Sequence, residues 1–316
     1  MKTLVSSPIL LADVSTWFLP LGWVALGFAV AVLALWAFYG LVFLLSKKVA
    51  AIALTTFKEA LAQPLFWVVI ALGCVALAVS PYLSYFTFGE DIKVVKDTGL
   101  TLIMLLAIFV AIWNASTSVA DEIDGRTALT LLSKPVGRWQ FIIGKFLGIL
   151  FPLAVIFILL GALFLATVSY KVVYDARETS HPEPTAIECR DEMLQVVPGL
   201  VLAFYEAVVF AAIAVAISTR LPVLPNLVIC VAIYLLGHIV PLLMEAPEGR
   251  TPLVRFMGQF FATIFPVLDV YNVQAAVATG NPVPVTYLLT ALLYCTLYSA
   301  AAMLLALIMF EDRDLA

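Results

Sequence analysis

Few side chains in this sequence are placed to do chemistry, and most of those stand apart. His181 and His238 have no partner at metal-ligand spacing. Cys74, Cys230 and Cys295 lie inside apolar runs and Cys189 in a polar stretch, with no CxxC pair among them. Neither a zinc site nor a disulfide framework follows from such spacing, and no metal or cofactor is expected. GxSxG, HExxH and any Ser/His/Asp set are absent. Residues 137–146, GRWQFIIGKF, have the outline of a phosphate loop with the wrong metrics. Six residues separate the glycines instead of four, and Phe146 stands where a Ser or Thr would hold magnesium. Gly144-x-x-x-Gly148 reads better as a small-residue face for helix packing. The chain is not expected to be an enzyme, and any energy from ATP must come from another chain.

What remains is a set of polar residues in apolar surroundings. Glu206 lies within the run Met193–Thr219, which is otherwise uncharged. A charged carboxylate near a bilayer midplane costs on the order of 3 kcal/mol on insertion scales, so such acids face a bundle interior or a water path. Two readings stay open. Glu206 is a substrate-path, proton-relay or gating group, or it is a protonated or paired acid that locks two helices through His238 or Asn226 of the next span. Asn114 and Asn226 read as interhelical hydrogen-bonding residues. Trp23, Trp36, Trp67 and Trp113 fit interface anchoring or packing.

The elements that position these groups follow from composition. Of 316 residues 64% are hydrophobic and 12% charged, with a mean hydropathy of +1.09. Soluble domains run about 45–50% apolar and about 25% charged, which excludes a soluble enzyme, a secreted disulfide scaffold and a disordered tail. With 17 Lys+Arg against 21 Asp+Glu there is no basic face for nucleic acid. Apolar runs long enough to cross a bilayer, uncharged but for Glu206, are Leu21–Leu45, Pro64–Phe88, Gly99–Ala120, Phe146–Tyr170, Met193–Thr219, Leu221–Met244 and Pro282–Phe310. Unpaired backbone groups are not tolerated in hydrocarbon, so the class is an all-α polytopic helix bundle in membrane lipid.

Two apolar pieces do not cross. Phe256–Leu268 is short and contains Pro266, which predicts a re-entrant or interfacial segment. Val49–Gln63 carries Ala53, Phe57 and Leu61 at helical spacing, with Lys58, Glu59 and Gln63 on the other side. That pattern predicts an amphipathic helix lying on the surface. Lys47-Lys48 and the group Arg126, Lys134, Arg138 and Lys145 flank short loops, and the positive-inside rule places both in the cytoplasm. The N-terminus is then outside, Glu311-Asp312-Arg313-Asp314 inside, and the polar stretch Lys171–Glu192 an irregular external loop. Met1–Pro20 lacks the long apolar core and the exit site of a signal peptide.

Between the third and fourth runs lies Asp121–Gln140, DEIDGRTALTLLSKPVGRWQ. Gly125 breaks the incoming helix, Ala128, Leu131 and Leu132 share a short one, and Pro135 stops it before the chain climbs back. The expected product is a helix-loop-helix with a small apolar patch inside a charged rim, shaped to seat in a partner's groove. A charged connecting loop is the plainer reading.

The order of these elements resembles a type-2 ABC exporter permease: surface helix, two spans, charged cytoplasmic loop, three spans, external re-entrant region, last span. The run DEIDGRTALTLLSKPVGRWQFIIGK is similar to that family's pattern of an acid, Gly, Thr, a Leu pair, Ser, Pro, Arg and Gly-Lys. LALIMFEDRD resembles its Phe-x-x-Arg-Asp exit from the last span. The likeness covers about residues 50–314. It implies a six-span permease core over residues 49–316, preceded in residues 1–48 by a tail and one extra span. By the same resemblance Asp121, Glu122, Gly125, Arg126, Thr127, Leu131, Leu132, Ser133, Lys134, Pro135 and Arg138 belong to a coupling helix that docks on an ABC ATPase subunit. A second permease copy or paralogue completes the pore, in the bacterial cytoplasmic (inner) membrane. A non-transporting membrane anchor of a complex is the alternative function. A membrane-embedded enzyme would need a cluster of His, Asp or Glu at one interface, and the distant histidines speak against it.

Overall fold

The computed structural model describes residues 18–83, 91–120, 122, 137–178, 184–244, 256, 260 and 265–311, and the side chains of all but 240–244 among these. Every regular element among them is helical. In chain order these are α1 (Leu21–Leu45), α2 (Lys47–Ala62), α3 (Pro64–Val79), α4 (Asp91–Ala115), α5 (Arg138–Glu178), α6 (Ala186–Ser218), α7 (Val223–Met244), α8 (Gln274–Ala278) and α9 (Val285–Glu311). A 3₁₀ turn, Ser80–Tyr82, extends α3, and another, Leu268–Tyr271, precedes α8. The last turn before the charged loop, Ser116–Ala120, is a π-turn.

Six stretches are long and apolar enough to cross a membrane: Leu21–Leu45, Pro64–Tyr82, Asp91–Ala120, Arg138–Arg177, Ala186–Ser218 and Val285–Glu311. The 22 residues of α7 add a seventh helix of about 33 Å, which matches a hydrocarbon core of about 30 Å. The protein is thus an all-α polytopic bundle.

Local chemistry sets the corners. Ser46 caps α2 by accepting from the Val49 amide at 3.4 Å. Pro64 opens α3, where its missing N–H costs nothing. Thr185 and Glu188 form a reciprocal capping box on α6 (3.3 and 3.0 Å).

The core is α4, α5 and α6, with α9 packed along α6. Close approach depends on glycine at two places that matter below. A Cβ on Gly148 would sit 2.6 Å from Thr56 Cβ and 2.9 Å from the Ala53 carbonyl, and one on Gly144 would sit 2.8 Å from Ile52. The amphipathic α2 therefore lies directly on the Gly144-x-x-x-Gly148 face of α5, a partner that the sequence does not name for either. Its buried side is Val49, Ala50, Ala53, Thr56 and Ala60. By contrast α1 buries only Val42 of its side chains; it touches α2 and α5 and otherwise presents apolar residues outward.

One expectation is corrected. Most of the described part of Lys171–Glu192 is helical, not irregular: α5 runs on to Glu178 and α6 begins at Ala186. Lys171 is held by Asp175 one turn along (2.7 Å) and by Asp91 of α4 (3.7 Å), so helix continues through a polar stretch whose charges are already paired. For the same reason α4 starts at Asp91, ahead of the uncharged run. Of the expected re-entrant segment only Phe256, Phe260 and 265–268 are described. Phe256 and Phe260 are helical and stack at 6.3 Å.

Candidate functional site

At the end of the bundle where α2 lies, polar groups converge on the two stubs of the charged loop. Lys145 is 2% exposed, and its ammonium meets Glu122 at 2.5 Å and Glu59 at 3.6 Å. Three elements thus meet on one cation: α2, the end of the π-turn and α5. Burial pushes the Glu122 carboxyl above its ordinary 4.5; Lys145 pulls it down by less, and the like charge of Glu59 adds to the rise. Gln63, at the α2–α3 corner, donates to Thr117 Oγ1 (3.2 Å) and accepts from the Trp113 indole (3.0 Å). Arg138 donates to the Glu311 carbonyl at 3.0 Å, tying the start of α5 to the end of α9.

The π-turn has its own holder. Asn226, fully buried, points its amide nitrogen at Ser116 Oγ (2.8 Å), Ser218 Oγ (2.7 Å) and the Ala214 carbonyl (3.2 Å). Cys230 donates to the Asn226 amide oxygen at 3.3 Å. Asn226 therefore bonds α7 to α6 and to the π-turn, the interhelical role its sequence position suggests, and it is not a partner of Glu206. Asn114 is buried as expected, but its amide nitrogen has no hydrogen-bond partner among the described residues.

Of the coupling residues read from sequence, Glu122 and Arg138 fall within this cluster. Asp121, Gly125, Arg126, Thr127, Leu131, Leu132, Ser133, Lys134 and Pro135 lie outside the described residues, as do His181 and Asp312–Asp314.

Deeper in the bundle Glu206 is 2% exposed, and His238 Nε2 stands 4.0 Å from its Oε1. Both line a cavity of about 130 Å³ together with Thr101 and Met104 of α4, Tyr234 of α7, and Tyr271 and Gln274. Gln274 donates to Thr101 Oγ1 at 3.0 Å and so fixes α8 over this cavity.

At the opposite end of the bundle the buried Lys96 pairs with Glu192 and donates also to Gln195 Oε1 at 3.3 Å. Lys171 adds the Pro81 carbonyl (3.1 Å) to its two acids. Sequence reasoning missed Lys96, Lys145 and Lys171 as buried groups, because a lysine at a span end reads as a solvated flank. One signal was legible: the acid four residues on, Asp175 after Lys171.

Comparison with known proteins agrees with the architecture. Residues 50–315 match the family model described as ABC-2 family transporter protein. No curated protein matches the chain.

Proposed function

The chain belongs to the ABC-2 transporter family, and from that premise we propose that it is the permease subunit of an ATP-driven exporter, powered by a separate ABC ATPase subunit. A membrane permease of an ABC transporter is what the family match and the multi-pass bundle support together. The observation that carries the finer reading is the family match over 50–315, which includes the whole charged loop between α4 and α5. In this reading residues 49–316 are the permease unit and residues 1–48 a tail and an additional span.

Asp121–Arg138 is the element that docks on the ATPase. Its two ends are tied to the bundle, Glu122 through the buried Lys145 and Arg138 through the exposed end of α9. Motion of a docked partner then passes to α2, α5 and α9 as displacement of packed helices rather than as slack in a loop. Two permease chains, alike or paralogous, and two ATPase chains make the working unit, in a bacterial cytoplasmic (inner) membrane with the N-terminus outside and the C-terminus inside. The chain itself contributes no catalytic group.

Copurification with the ATPase tests the reading. The permease is expected to bring down an ABC ATPase and stimulate its turnover, and Leu131→Asp is expected to release it while the permease still inserts. Binding without stimulation would indicate an anchor. Magnesium-dependent turnover by the isolated chain, free of contaminating ATPase, would refute the assignment.

A further inference from the structure

We propose that the mid-membrane cavity around Glu206 is a binding site for a primary ammonium group. The geometry leaves acceptors facing one another with no donor between them. The imidazole Nδ1 of His238 lies 3.1 Å from the Tyr234 carbonyl. A carbonyl only accepts, so that contact places the ring hydrogen on Nδ1 and leaves Nε2 of the neutral ring as an acceptor. Nε2 points at Glu206 Oε1 across 4.0 Å, too far for a hydrogen bond. Oε1 is buried and has no hydrogen-bond partner among the described residues, and the same holds for the hydroxyl of Tyr271, whose residue is 3% exposed. Nitrogen or oxygen bearing at least two hydrogens fits the gap, since an atom about 2.8 Å from both Nε2 and Oε1 completes a triangle on a 4.0 Å base.

Water could fill that gap, but the rest of the wall favours a cation. Glu206 supplies a carboxyl that a bound cation would hold in its ionised form, and no Lys or Arg is among the described residues that line the cavity. Tyr234 and Tyr271 supply aromatic rings, which attract ammonium groups. The volume of about 130 Å³ holds about four waters at ~30 Å³ each, or a head of similar size. The cavity is partly open rather than sealed. A –NH₃⁺ group has one hydrogen for each of Glu206 and His238 and a third to offer the unpartnered Tyr271 hydroxyl, whose residue lines the same cavity. A quaternary ammonium has none to place. Such a group can come from a free amine or from a phosphatidylethanolamine head.

The test uses the full chain alone, purified into phosphatidylcholine nanodiscs, so it stands apart from ATPase coupling. Ethylammonium chloride is titrated against sodium chloride and tetramethylammonium chloride while thermal unfolding is followed. Ethylammonium is expected to raise Tm by several degrees and saturably, and the two controls are not. Glu206→Gln is expected to weaken the effect at least tenfold, and Tyr271→Phe, which keeps the ring, several-fold. If the glutamine variant does not fold, Tyr271→Phe and the contrast between the two ammonium ions decide the outcome. Discs containing phosphatidylethanolamine identify the source: a Tm already raised and insensitive to ethylammonium means the lipid head occupies the site, and an unchanged titration means a free amine does. No saturable response in either bilayer, or equal responses in natural sequence and both variants, overturns the proposal.

Discussion

Replacing Lys145 and Glu122, singly and together, tests whether the grip on the charged loop is electrostatic. At 2.5 Å and an effective dielectric of about 20, the gross attraction is about 7 kcal/mol. Most of that is offset by taking the charges out of water, and the balance is visible on Glu122, where burial outweighs the pull of Lys145. The pair is therefore worth little over an apolar pair, while stranding one partner is costly. Glu122→Leu leaves an ammonium 2% exposed, with only the more distant Glu59 to answer it, and is expected to cost about 3–5 kcal/mol. Lys145→Met leaves a carboxyl whose side chain is 21% exposed and can take up a proton, and is expected to cost about 2 kcal/mol. The double replacement is expected within about 1 kcal/mol of the natural chain. Glu59→Ala, at a side chain 52% exposed, costs less than about 1 kcal/mol. Reversible denaturant unfolding in mild detergent measures all four. The pH dependence has a fixed sign. Glu122's folded value lies above 4.5, so the folded form keeps a proton that the unfolded chain has released. This group's contribution is full below 4.5 and is lost as pH rises through the folded value. That slope should vanish in Glu122→Leu. Additive single effects, or Lys145→Met costing more than Glu122→Leu, would refute the account.

Three further outcomes follow from the packing. Asn226→Leu leaves Ser116 and Ser218 without their shared donor and is expected to cost about 2–3 kcal/mol, with faster hydrogen exchange confined first to Ser116–Ala120. Normal protection there would mean that the π-turn does not depend on α7. Gly148→Ala drives a methyl toward Thr56 and the Ala53 carbonyl and is expected to cost about 1–3 kcal/mol by prying α2 from α5. A disulfide between cysteines placed on the two helices should then form more slowly, and an unchanged rate would count against the contact. Glu206→Gln removes a charge whose Oε1 makes no hydrogen bond, so Tm is expected to hold or rise. A large fall in Tm would restore the view that this acid locks helices.

Hydropathy carried most of the architecture and misplaced only what lies at the span ends. Each of the long apolar runs holds a helix among the described residues, and the spacing of Ala53, Phe57 and Leu61 against Lys58 and Glu59 made α2 legible as an amphipathic helix, though not as one packed on α5. The glycine pair of α5 gave the site of that contact. What hydropathy cannot convey is that α5 has 41 residues, about 60 Å, against a hydrocarbon core of about 30 Å. Lys145 and Lys171 lie about 39 Å apart along it, and Lys96 and Glu122 the same distance apart along α4 and its π-turn. Each separation exceeds a hydrocarbon thickness of about 30 Å, which lets both members of a pair lie at headgroup depth, where a charge can be buried by protein without sitting in lipid. A window that ends a span at the first lysine reads these positions as solvent, yet each lysine side chain is 1–2% exposed and joins neighbouring helices. The cavity escaped for a different reason. Glu206 was legible as one acid in an apolar run, but Tyr271 and Gln274 come from a segment more than sixty residues away with no periodic signal of its own. They reach Glu206 because Gly199 and Gly237 admit Val277 and Leu268 against α6 and α7 at contact distance, packing that no single window of sequence contains. The bundle thus carries buried ion pairs toward its two ends and, between them, neutral hydrogen bonds around Asn226 and the cavity around Glu206.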